Sequence, residues 1–89
     1  MANKRTLKKT VNYIAGELFT ECIVLKEFIP NVDKEKVDEL MTKVLYLQNE
    51  FIGRINHPEP GNIKGSYKKL HADLGTQVNA LVKEISELH

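Results

Sequence analysis

The chain has 89 residues, 42% of them apolar and 28% charged, with 13 Lys and Arg against 12 Asp and Glu for a formal net charge of +1. That size and balance describe a single globular domain, and they exclude a disordered tail and a uniformly polybasic nucleic-acid coat. No apolar run exceeds four residues, far short of the about 20 that a membrane span needs.

At this length folding buries roughly 60 to 65% of the surface of the extended chain, so stability is marginal unless packing is good or a second subunit contributes. Cys22 stands alone and excludes an internal disulfide framework. The basic residues after Met1 have no apolar signal-peptide core behind them. Both features point to a reducing cytoplasm.

Punctuation falls in two places, Pro30-Asn31 and His57-Pro58-Glu59-Pro60-Gly61, and it divides the chain into three segments that all read as helices. In the first, Leu7, Val11, Ile14, Leu18, Cys22, Leu25 and Ile29 recur at steps of three and four, which predicts a helix over about 4–29 with one apolar stripe. Phe19 and Ile23 flank that stripe on one side, Val24 and Phe28 on the other. The second half of the helix is therefore apolar around more than half its circumference. A face so wide asks for two neighbours, or for one neighbour and a partner chain. Phe19, Ile23, Val24 and Phe28 are accordingly the candidate self-association residues. Gly16 costs helix propensity, and serves either to admit a neighbouring backbone or as a neutral surface position.

The second helix is predicted over about 33–56, with Asp33 as N-cap, Val32 stapled to Val37, and Glu35 at the positive end of the dipole. Its stripe runs Val37, Leu40, Met41, Val44, Leu47, Phe51, Ile55. Gln48 interrupts it; the expectation is a glutamine at the core margin whose amide reaches water or a backbone carbonyl, the alternative a buried polar residue that fixes register or contacts a ligand. The third helix is predicted over about 62–88 with Asn62 as N-cap, or from Ser66, along Ile63, Tyr67, Leu70, Leu74, Val78, Leu81, Ile85 and Leu88. Between them, the two prolines stiffen an extended loop and Gly61 turns the chain. Each helix would be roughly 37 Å long. Short connections force antiparallel neighbours, so the expected fold is all-α, an up-down-up three-helix bundle.

Laid on that bundle, the charges separate. One end carries Lys4, Arg5, Lys8, Lys9, Arg54, Lys64, Lys68 and Lys69 against three carboxylates, a net of +5; the other has nine carboxylates against five lysines, a net of −4. Two helix N-termini share the basic end, which makes Lys4, Arg5, Lys8, Lys9, Lys64, Lys68 and Lys69 candidates for binding nucleic acid or another anion. There is no helix-turn-helix, zinc-finger spacing or Arg and aromatic platform to support specific DNA recognition.

Metal ligands are few: His57, His71, His89, Cys22 and carboxylates, with no paired Glu-x-x-His motif, and His89 is poorly placed at the last residue. His71 beside Tyr67 and Leu74 reads as a packed, hydrogen-bonded or interface residue. Asp73 lies two residues on and points elsewhere, so the pair makes no acid–base couple. Cys22 in the core stripe is expected to be an inert thiol. With no phosphate loop, serine elbow or Cys and His dyad, the sequence predicts no catalytic residues, metal or cofactor, and a non-enzymatic protein.

Arg5-Thr6-Leu7-Lys8-Lys9, Asn12-Tyr13-Ile14, Glu17-Leu18-Phe19-Thr20-Glu21-Cys22 and His57-Pro58-Glu59-Pro60-Gly61 together resemble a family of small helical proteins from Bacteroidetes that has no assigned activity. The resemblance spans most of the chain and implies an all-α cytoplasmic bacterial protein, with no functional residue to carry over. The expected function is a helical protein-interaction module, homodimeric through the apolar face of the first helix, with anion binding at the basic end as the alternative.

Overall fold

A computed structural model describes residues 4–88; Met1 to Asn3 and His89, the weakest of the metal candidates above, lie outside the described residues. Three helices follow one another: α1 (Lys4–Phe28), α2 (Lys34–Asn56) and α3 (Ile63–Ser86). They form the all-α three-helix bundle expected from the periodicity, with boundaries within two residues of the predicted ones. Among the described residues no helix is long and apolar enough to cross a membrane.

The helix ends follow from local chemistry. Asp33 accepts hydrogen bonds from the backbone N–H groups of Glu35 and Lys36 at 3.1 and 3.3 Å, satisfying two donors that the first turn of α2 leaves without helical partners. Asn62 does the same for Gly65 at 3.3 Å, so α3 starts at Ile63 and not at Ser66. Asn31 (φ 70°) and Gly61 (φ 81°) hold the left-handed backbone that each turn needs, a conformation that asparagine and glycine adopt at least cost.

The core is built unequally. α1 buries Leu7, Val11, Ala15, Leu18, Cys22 and Leu25, and α2 buries Val37, Leu40, Val44, Leu47, Phe51 and Ile55. α3 contributes only Leu70, Leu74, Leu81 and Ile85. α1 packs mostly on α2, less surface joins α2 to α3, and α1 barely meets α3.

Interhelix polar pairs mark the longitudinal register. Lys43–Glu84, Glu50–Gln77 and Arg54–Asp73 join α2 to α3, and each step up one helix is matched by an equal step down the other. Carried along, that register sets His57, the C-cap of α2, level with Leu70 and Met41 level with Ser86. Seven residues of α3, Ile63–Lys69, therefore lie beyond the end of α2, and the first turns of α2 lie beyond the end of α3. Asn12–Gln48 and Lys26–Asp38 fix α1 against α2, which puts the last two turns of α1 beyond α3 as well. This displacement helps make the molecule 51 × 19 × 18 Å, longer than the roughly 37 Å of its longest helix. Its radius of gyration, 14.7 Å, exceeds the ~12 Å of a compact domain this size.

Candidate functional site

At the acidic end, the α1–α2 hairpin projects past Ser86 and leaves a step where a third helix would lie. Val24 and Phe28, across α1 from the flank that meets α2, stand beside this step at 40% and 74% exposure. Leu25 and Val37, only one residue from Val24 and four from Asp33, are fully buried, because they point between the two helices. Ile29, Val32 and Leu88 pack partly against the core beneath. A shallow cavity of about 260 Å³ opens where α3 stops, lined by Lys36, Glu39, Leu40, Lys43, Glu84, Glu87 and Leu88.

The four predicted self-association residues do not form one surface. Val24 and Phe28 border the step. Ile23, 46% exposed, lies on the opposite flank with Phe19, where both line a cavity with Asn12, Ala15, Gly16, Thr20 and Gln48. Phe19 is half-buried against the core and belongs to the α1–α2 seam. Gly16 admits no neighbouring backbone: a Cβ there would meet nothing within 4 Å. Gln48 bonds through its Nε2 to Asn12 Oδ1 at 2.8 Å, a side-chain partner on α1 that suits the register reading of this residue better than the water or carbonyl one.

At the basic end, α3 projects instead. The loop from His57 to Asn62 descends beside its first two turns, and its two prolines keep it extended over that drop. Tyr67 donates to the Ile55 carbonyl at 3.2 Å, tying α3 to the end of α2, and the Glu59 N–H donates to Ser66 Oγ at 3.4 Å, tying the loop to α3. Ile63 at the tip is 54% exposed, and Lys64, Lys68 and Lys69 are exposed around it. Arg54 is committed elsewhere: it pairs with Asp73 at 3.0 Å and lies 5.0 Å over the Phe51 ring. Lys4, Arg5, Lys8, Lys9, Lys64, Lys68 and Lys69 form no ion pair among the described residues. The register thus brings all seven predicted anion-binding residues to one end, with no carboxylate in the first turn of α1 or α3.

The remaining candidates are ordinary. Cys22 is a free thiol in the core, and burial, with a smaller contribution from the Glu21 charge, pushes it above its usual 9.0. His71 is exposed and its side chain makes no hydrogen bond among the described residues, so of the packed, hydrogen-bonded and interface roles expected for it only the interface one stays open. Among the described residues no three His, Cys, Asp or Glu side chains converge as a metal site would require.

Fold and surface together define an all-α bundle with two uneven, oppositely charged ends. No family model, curated protein or solved structure matches the chain.

Proposed function

We propose that this protein is a non-enzymatic helical interaction module that associates with itself through the uncovered C-terminal turns of α1. One observation carries the reading: Phe28, a large aromatic residue, is 74% exposed next to Val24 at a place where the bundle lacks its third helix. A clustered apolar surface on a small domain is the usual mark of a contact site. The smallest assembly is a homodimer. Light scattering tests it: a mass above 10.2 kDa that rises with concentration supports association, and a strict monomer at high micromolar concentration refutes it.

The second reading is anion or nucleic-acid binding at the basic end. It is favoured by the seven cationic side chains there that lack a carboxylate partner among the described residues. Neutralising phosphates releases counterions, so binding through this end would weaken steeply with salt. Affinity for a single-stranded oligonucleotide at low salt, lost in the Lys64→Gln, Lys68→Gln variant, supports it; no affinity, or affinity unchanged in the variant, removes it.

A further inference from the structure

Building on the self-association reading, we propose that the contact is head-to-tail: the projecting start of α3 in one copy occupies the step beside Val24 and Phe28 in the next. Three observations point to this occupant. The projection, Ile63–Lys69, is seven residues long, about 10 Å of helix. The step runs from Leu88, which packs on the core past the end of α3, to the end of α1 at Phe28, more than one turn, so tongue and recess are comparable in length.

The charges match as well. Lys64, Lys68 and Lys69 surround the tongue, and the recess is rimmed by Glu39 and Glu87 against Lys36, with Glu84 already paired to Lys43 at 2.9 Å. Two recesses meeting face to face would bring those carboxylates together, and two tongues would bring the lysines together. Like charges set opposite one another disfavour both symmetric arrangements. The apolar groups match in kind: Ile63, exposed at the tip of the tongue, meets Val24 and Phe28, exposed beside the recess.

The surface area agrees. The chain exposes 6299 Å², about 1,000 Å² more than the ~5,300 Å² of a compact monomer of its mass. A standard interface covers roughly 800 Å² per partner; the excess shared over two ends gives small contacts and weak, salt-sensitive association. Because each copy has one tongue and one recess, the contact is heterologous. It adds copies in a row unless the rotation closes a ring.

Two variants of exposed residues test this. Lys64→Glu with Lys68→Glu disables the tongue; Val24→Ser with Phe28→Ser disables the recess and leaves its charges as they are. Sedimentation velocity at low salt is expected to show wild-type species growing beyond dimer with concentration. Each variant alone should be monomeric, with association weakened at least tenfold. An equimolar mixture should form a dimer that grows no further, since one intact tongue meets one intact recess; that rescue also shows both variants to be folded. If the tongue variant still self-associates, the head-to-tail contact is wrong while self-association stands. If both variants are monomeric with wild-type helicity by circular dichroism and their mixture stays monomeric, the head-to-tail contact again falls. A wild-type protein that is monomeric throughout overturns both readings.

Discussion

The α1–α2 hairpin and α3 are nearly equal in helix length, yet they hold to the molecule differently. In the hairpin, six buried residues from each helix interleave along nearly the whole length. α3 buries four and slides two turns out of line. A helix anchored by fewer apolar side chains is held partly by polar pairs, and it is the one whose displacement leaves both ends uneven. Local stability varies across a fold in this way, and surfaces that work in binding come from the less tightly held parts.

The sharpest way to break that comparison is to hollow out each region in turn. Phe51→Ala removes a fully buried ring from the centre of the hairpin and takes away the platform under Arg54. It should cost about 3–5 kcal/mol, enough to unfold much of a domain this small. Leu81→Ala in α3, also in the core, should cost less, about 2–3 kcal/mol. Urea denaturation of the two variants checks the order; equal losses would erase the distinction between the regions.

Capping offers a milder contrast. Asp33→Ala removes an acceptor for two backbone donors and should cost ~1 kcal/mol. Asn62→Ala, which removes an acceptor for one, should cost less and should loosen the start of α3, seen as faster amide exchange at Gly65 and Ser66. Glycines sharpen it further. Gly16→Ala on α1 meets nothing within 4 Å and should raise stability by up to about 1 kcal/mol through helix propensity. Gly65→Ala on α3 would bring a Cβ within 2.5 Å of the Asn62 side chain, so the cap must shift and the gain is lost. Thermal melts of both variants give the signs.

The smallest effect is a pH dependence confined to the hairpin. Burial keeps Cys22 protonated in the folded protein above its usual 9.0, whereas the unfolded chain ionises there. The thiol's contribution to stability is thus complete below pH 9 and declines as pH rises toward the folded-state value. Cys22→Ala should remove that part of the alkaline loss, seen as a shallower fall in melting temperature above pH 9 than in wild type.

Much of this was legible in the residues. Periodicity placed all three stripes, and residue type placed the caps at Asp33 and Asn62, because helix faces and orphan backbone donors are local properties. The separation of charge into two ends also followed from chain order. Longitudinal register was not legible: an apolar stripe says which face is buried and nothing about how far one helix slides along another. Lys43–Glu84 and Arg54–Asp73 mark it in the folded protein, and neither pair stands out among 25 charges. Hence the sequence joins Phe19 and Ile23 to Val24 and Phe28 in one wide face, whereas the α1–α2 seam absorbs Phe19 and the displacement of α3 bares Phe28.

The central claim is that the bared turns of α1 are a contact surface. Backbone amide shifts followed by NMR from about 10 µM to about 1 mM at low salt test it most directly, since weak association in this range reports on each residue. Shifts that move with concentration at Val24 to Phe28 and at Ile63 to Lys69, and not around Tyr46 or Gly16, are the result expected. Spectra that do not change with concentration, or that change only at other surfaces, would contradict it.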